Sequence, residues 1–152
     1  MLPKGNYFLV IKVNTMNLKL QLLQDDKIVL EIPLSSTEWP KEKLETELEI
    51  IEDDFPRYSR IIDALSNETR FRMMRKLLEE EDKTISFADF MHDLELNPKL
   101  VWENARKLTE DGFLKKTGRG EYSFSEFGES GFMMVSLALR RLMEALEEFE
   151  NL

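Results

Sequence analysis

Cysteine is absent from this chain of 152 residues, and histidine occurs once, at His92. Without cysteine the chain can form no disulfide framework, thiolate nucleophile or thiolate metal site. A single histidine beside Asp93 falls short of the three or four ligands that a zinc site needs. The sequence therefore predicts no metal and no other cofactor, and His92 is interpreted as a surface residue.

Long hydrophobic runs are missing as well. No segment approaches the ~18 to 20 consecutive apolar residues of a membrane-spanning helix. The start, MLPKGNYFLVIKV, lacks the basic segment, long apolar run and cleavage site of a signal peptide. These features, with the lack of cysteine, favour a cytoplasmic location and no membrane partner.

Motifs of catalysis are also absent. The sequence has no glycine-rich phosphate loop, no calcium-loop spacing and no set of nucleophile, base and acid. Carboxylates are abundant, but nothing in their spacing selects a catalytic pair. We therefore expect a protein that is not an enzyme.

Acidic residues outnumber basic ones by 30 to 21, which gives a formal net charge of -9. This charge argues against indiscriminate binding to polyanions. Hydrophobic residues make up 42% of the chain and aromatic residues 10%, enough to predict a folded core.

Residues 7–34 alternate in polarity as β-strands do. The segments YFLVIKV, NLKLQLL and KIVLEIPL are separated by polar breaks at residues 14–17 and 24–26. Two or three antiparallel strands joined by tight turns are predicted.

The period then becomes helical. Leu44, Leu48 and Ile51 recur on one face of an acidic helix that Ser36 or Thr37 could cap. Pro56 marks the expected boundary, because the residue before a proline disfavours helix. Residues 1–56 are predicted to form an N-terminal β region followed by this helix.

From residue 59 onward the pattern is mostly helical. Ser66 or Asn67 can cap the helix ETRFRMMRKLLEEE, and Ser86 opens the helix SFADFMHDLEL after a short extended link. Asn97 opens a further helix, with proline at a favoured first-turn position. The sequence thus predicts several short helices with defined starts.

Gly112 is expected to end the helix that starts at Asn97, as a left-handed cap. A β-hairpin with its turn at residues 117–120 follows in FLKKTGRGEYSFS, and the last element is a long helix in ESGFMMVSLALRRLMEALEEFENL. The predicted fold class is α+β.

This order of elements, with the segments DALSNETRFRMMRKLL, ISFADFMHDLELNPKLVWENARKLTEDGFLKK and RGEYSFSEFG, resembles the ArsR-like winged helix-turn-helix transcription regulators. The resemblance implies a winged-helix domain at residues 57–130, preceded by the N-terminal region. It also implies a C-terminal dimerisation helix at residues 131–152, and a homodimer that binds double-stranded DNA. Many such proteins sense metals, but the missing ligands make metal sensing improbable here.

In proteins of this kind the helix at about Pro98–Thr109 enters the major groove and the hairpin contacts phosphates. The position of the residues implies two groups of contacts. Groove-facing candidates are Asn97, Lys99, Trp102, Glu103 and Arg106. Phosphate-contacting candidates are Lys107, Lys115, Lys116 and Arg119.

The distribution of charge agrees with this placement. Residues 97–119 hold six basic and three acidic side chains, a net charge of +3, whereas residues 1–58 and residues 122–152 each carry -4. A local positive segment in an acidic chain favours DNA contact at that segment.

The last helix carries more apolar side chains than one face needs, which is typical of an interface. Packing within the same chain could account for about half of them, and pairing with a second copy for the rest. The predicted dimer interface consists of Phe132, Met133, Val135, Leu139, Leu142, Met143, Leu146 and Phe149.

An alternative remains open. Trp102 and Glu103 could belong to a surface that binds protein, in which case the domain would be a protein–protein interaction module of the transcription machinery without specific DNA binding. The N-terminal region could likewise bind a protein partner, extend the dimer or cover the domain.

Overall fold

The structure, a computed structural model, describes residues 5–13 and 18–150. The side chains of residues 7, 9, 11–13 and 149 are outside this description. The predicted break at residues 14–17 and the predicted contact of Phe149 therefore lie outside the described residues.

Helices and two small antiparallel sheets make up the described chain, which confirms the α+β class. The strands are β1 (Tyr7–Val13), β2 (Leu18–Gln24), β3 (Lys27–Pro33), β4 (Thr84–Ser86), β5 (Leu114–Gly118) and β6 (Glu121–Phe124). The helices are α1 (Lys41–Asp53), α2 (Phe55–Ser66), α3 (Glu68–Glu79), α4 (Phe87–Asp93), α5 (Pro98–Glu110) and α6 (Glu126–Glu150).

Two compact units divide the chain. One comprises Asp54–Ser136, from α2 to the first part of α6. The other comprises the described residues up to Asp53 together with those from Leu137 onward. We call them the helical unit and the sheet unit. The expected boundary at Pro56 thus falls at Asp54, and the last helix contributes to both units.

The sheet unit contains β1, β2 and β3 in that order, all antiparallel. Asp25 and Asp26, both with positive φ, form the tight turn between β2 and β3. Leu18 and Gln21 are buried, whereas α1 buries none of its side chains. The sequence predicted two or three strands, and the structure has three. Few of the described side chains of this unit are buried.

The start of α1 differs from the prediction. Ser36 and Thr37 lie in a short 3-10 helix, and α1 begins only at Lys41. The backbone N–H of Leu44 donates to the carbonyl of Pro40 at 3.0 Å, so the chain before Pro40 adds nothing to the helix. Pro56 likewise lies inside the first turn of α2, where a proline needs no hydrogen-bond donor.

The helical unit has a continuous apolar core. Strands β4 and β6 contribute to it, and its fully buried side chains come from α2, α3, α4, α5 and the residue before β5. They are Ala64, Met73, Met74, Leu77, Phe90, Val101, Ala105, Leu108 and Phe113. The sheet order β4-β6-β5 places β6 between its two neighbours.

Two helix starts and one helix end agree with the predicted caps. The side chain of Asn67 accepts from the N–H of Arg70 at 3.0 Å, and that of Ser86 from Asp89 at 3.0 Å. Gly112 ends the α5 turn with φ of 83°, as the sequence predicts. Such side-chain caps satisfy backbone donors that the helix itself leaves unpaired.

Helix α6 starts earlier than predicted and covers Phe113. Phe132 is 5% exposed and packs on Phe71 and Phe124, with ring centroids 5.2 and 6.1 Å apart. Its predicted place in a dimer interface is corrected accordingly, because this side chain has almost no free surface. The backbone of Phe113 lies directly against Gly128, so a Cβ atom at Gly128 would overlap the Phe113 carbonyl.

We expect Gly128→Ala to lower the free energy of unfolding by about 2–3 kcal/mol, because the added methyl group must displace the backbone of Phe113. Gly131→Ala is the matched control, since its Cβ would meet the Phe113 ring at an ordinary 3.7 Å. This control should be neutral or stabilising by about 0.5–1 kcal/mol. Urea unfolding followed by circular dichroism measures both. Equal stability of the two variants would contradict the close approach.

Candidate nucleic-acid interface

Helix α5 has one buried and one exposed face. Val101, Asn104, Ala105 and Leu108 are buried in the helical unit. Successive turns of the other face carry Lys99, Trp102, Glu103 and Arg106, all exposed. Four of the five predicted groove-facing residues therefore share the exposed face.

Asn104 and Arg70 tie α5 to the preceding helices. The Arg70 side chain is 12% exposed, and it donates to the Asp63 carbonyl at 2.6 Å and to the Asn104 Oδ1 at 3.4 Å. Asn104 in turn donates to the Leu100 carbonyl at 2.8 Å. A buried amide and guanidinium with satisfied donors hold a fixed geometry, so α5 is held in orientation by polar contacts as well as by its apolar face.

Lys107 lies toward α2. Its Nζ is 3.3 Å from Asp63 and 3.4 Å from Asp111. The pKa of Lys107 is raised above its ordinary value, mainly by the hydrogen bond to Asp63 and further by the charge of Asp111. Lys107 therefore remains a charged partner of two carboxylates, and its predicted phosphate contact has to compete with them.

Lys99 and Arg106 have much weaker partners. Each lies 3.9 Å from a carboxylate one turn further along α5, Glu103 and Glu110 respectively. Exposed pairs of this kind contribute little to stability, so both cations are available to another anion at small cost. Glu103 is accordingly a surface partner of Lys99 in the free protein.

Trp102 supports Arg106. Its side chain is 53% exposed, and the Arg106 guanidinium lies 4.8 Å from the centre of its ring. A guanidinium over an indole face is attracted by the ring and loses rotational freedom. Trp102 thus holds the arginine in an outward position on α5.

A groove of about 300 Å³ separates α5 from the β5–β6 hairpin. Its walls are Trp102 and Arg106 on one side and Lys116 and Tyr122 on the other. The Lys116 Nζ lies 5.8 Å from the centre of the Tyr122 ring. Tyr122 was not predicted from the sequence. Its position opposite Lys116 in the predicted hairpin is the signal that could have found it.

The hairpin carries the remaining predicted cations. Lys115 and Arg119 are exposed, and among the described residues neither has an ion-pair partner. Lys116 is also exposed and faces the groove. The register pairs Lys115 with Ser123 and Lys116 with Tyr122, so the two lysines point to opposite faces, as alternation along a strand requires.

Asn97 has a structural role in the protein. Its side chain accepts a hydrogen bond from the N–H of Leu100 at 2.9 Å, which makes it the cap of α5. The predicted contact between Asn97 and a base edge therefore competes with a structural role at the same oxygen.

The C-terminal helix exposes a second surface. Leu139, Met143 and Leu146 are exposed, as is Met133, whereas Val135 and Leu142 are half-buried. At 3.6 residues per turn, residues 135, 139, 142, 143 and 146 share one face of α6. Met134 and Leu137 are exposed elsewhere on the helix and were not predicted.

We expect Asn97→Ala to lower the free energy of unfolding by about 1 kcal/mol, the usual effect of losing an N-cap. Asn97→Asp keeps an acceptor at the same place and should restore most of that loss. Chemical denaturation of the three proteins gives the comparison. A neutral Asn97→Ala variant would show that the cap contributes nothing.

In the ranges that the structure describes, no three histidine, aspartate or glutamate side chains are grouped so that they could hold a metal ion. None of the described helices is both long and apolar enough to span a membrane. The chain matches no family model and no curated protein.

Proposed function

We propose that this protein is a winged helix-turn-helix regulator of transcription that binds double-stranded DNA as a homodimer, without a metal cofactor. The observation that carries the proposal is the exposed face of α5 with Lys99 and Arg106. It adjoins a hairpin whose cations Lys115 and Arg119 have no ion-pair partner among the described residues. Helices α4 and α5 form the helix-turn-helix, and β5 and β6 form the wing.

The dimensions of B-DNA support this assignment. Its major groove is about 12 Å wide and admits one α-helix. The exposed face of α5 would meet base edges, where Arg106 offers the bidentate donors that recognise the O6 and N7 atoms of guanine. Trp102 would hold that guanidinium and could contact a thymine methyl group.

The wing supplies sequence-independent contacts. Lys115 and Arg119 have no competing carboxylate among the described residues, so a phosphate would neutralise them without breaking an ion pair. Lys107, which pairs with Asp63 and Asp111, would contribute less. The net charge of residues 97–119 is only +3, so one copy should show modest non-specific affinity.

Dimerisation through α6 would double the number of contacts. Leu139, Met143 and Leu146 form an exposed apolar row on one face of that helix, and such rows usually pack against another surface. A twofold dimer would place two α5 helices in successive major grooves, about 34 Å apart. The expected binding site therefore has two half-sites.

The DNA proposal is tested with duplexes selected from a random library by the native protein. Arg106→Ala should weaken binding to the selected duplex by about 1–3 kcal/mol, as expected for the loss of a bidentate base contact. Arg75→Ala is the matched control, because Arg75 is an exposed helical arginine that also pairs with a glutamate one turn away. It should bind as the native protein does.

Salt dependence separates the wing from α5. Arg119→Ala should weaken binding to all duplexes alike and reduce the slope of log K against log salt by about 1. Fluorescence anisotropy at several salt concentrations measures this slope. If the folded protein enriches no duplex even at low salt, the DNA proposal fails.

The dimer proposal has its own test. Leu139→Glu with Met143→Glu should convert the protein to monomers, because it places two charges in the apolar row. Arg141→Glu, on the opposite face of α6, should leave the oligomeric state unchanged. Sedimentation velocity reports the outcome for each. A native protein that is monomeric at all concentrations would contradict this part of the proposal.

A second candidate is a winged-helix module that binds protein. The half-exposed indole of Trp102, with Glu103 and Glu110 on the same helix, favours it, since exposed tryptophan is enriched at protein interfaces. The duplex selection decides between the two. Enrichment of duplexes that is lost in Arg106→Ala supports the DNA-binding proposal. If a well-folded protein enriches no duplex, the protein-binding module is the function that remains.

A further inference from the structure

The sheet unit contains a groove of about 560 Å³ between the end of β3 and helix α1. Six aliphatic side chains line it, three from the β3 side and three from α1. They are Leu30, Ile32, Leu34, Leu44, Leu48 and Ile51. The volume lies within the ~300–1,000 Å³ of small-molecule sites, which are mostly apolar with a few placed polar groups.

Trp39 forms a fixed aromatic wall of this groove. Its indole Nε1 donates to the Pro33 carbonyl at 2.8 Å, which connects the ring to the end of β3. The side chain is half-buried, so part of the ring remains open to the groove. A ring that is already held in place needs no ordering when a ligand binds.

The polar groups of the groove are carboxylates. Glu31 is already engaged, since the Lys19 Nζ lies 3.1 Å from its Oε1 and Gln21 also contacts it. Glu47 lines the groove from α1, and among the described residues no hydrogen bond or ion pair to it is found. An indole face and an unpaired carboxylate that line the same apolar groove both favour a cation.

Charge also indicates which occupant is favoured. Helix α1 carries six carboxylates and two lysines, so a second copy packed on this groove would bring like charges together. A ligand of opposite charge would gain from the same field.

We propose that this groove is a binding site for a small organic cation with a bulky apolar body, held by the aliphatic walls, the indole of Trp39 and the carboxylate of Glu47. The site shares no residue with the proposed DNA-binding surface, and neither proposal depends on the other.

Two isosteric probes test the site on the full chain. Tetraphenylphosphonium and tetraphenylborate have the same apolar body and opposite charge. We expect calorimetry to show saturable binding of the phosphonium at one site per chain, and binding of the borate at least tenfold weaker. Equal binding of the two ions would overturn the proposal, because the groove would then select only for apolar bulk.

Variants locate the binding. Glu47→Gln should weaken binding of the phosphonium about three- to fivefold, the size expected of one exposed charge contact. Glu49→Gln is the matched control, because Glu49 lies on α1 but does not line the groove. It should bind as the native protein does. Equal losses of affinity in both variants would mean that the overall charge of α1, and not Glu47 itself, attracts the cation. That result would contradict the proposed site.

Fluorescence gives an independent readout. The chain has two tryptophans, so Trp102→Phe leaves Trp39 as the single indole. Its emission should change with phosphonium concentration and follow the calorimetric binding curve. An emission that stays unchanged when the site is saturated would contradict the proposal. A change that depends only on protein concentration would contradict it as well, because it would mean that a second copy of the chain covers the groove.

Discussion

The approach of α6 to the backbone of Phe113 is the contact on which the helical unit depends. Phe113 follows the Gly112 cap, its N–H donates to the Leu108 carbonyl at 2.9 Å, and its carbonyl accepts from the N–H of Ser125 at 3.0 Å. The end of α5, the start of the hairpin and the start of α6 therefore meet at one residue. Only a glycine at position 128 leaves room for this meeting.

Cations in the helical unit have two separate uses. Arg70 pairs with Asp63, and Lys107 pairs with Asp63 and Asp111. These contacts hold α5 against α2 and α3. Arg106 and Lys99 are paired only loosely, and the hairpin cations have no ion-pair partner in the described chain. A count of charges along the sequence treats all of these side chains alike. The cations available for binding have a distant carboxylate or none, whereas the structural cations have close ones. This difference in distance distinguishes a binding surface from a stabilising network.

Local patterns could be predicted from the sequence, and long-range contacts could not. Asn67, Ser86 and Asn97 cap their helices as expected, because a cap depends on residues only three positions apart. Phe132 was assigned to an interface, yet it packs on Phe71, which is distant along the chain. Periodicity places such a residue on an apolar face without showing what covers that face. The groove beside Trp39 was missed for the same reason, since its two walls come from separate elements.

The acidity of the chain is compatible with a polyanionic ligand because screening acts over short distances. At physiological ionic strength the Debye length is about 8 Å. Carboxylates farther than this from a phosphate repel it weakly, whereas a cation in direct contact keeps most of its attraction. Raising the salt concentration then weakens two opposing effects. One is the attraction between phosphates and the cations of α5 and the hairpin, and the other is the repulsion of phosphates by the acidic residues elsewhere in the chain. A protein with a charge of -9 would therefore lose less affinity with salt than an equally contacted basic protein, and selectivity among duplexes would depend on base contacts more than on charge.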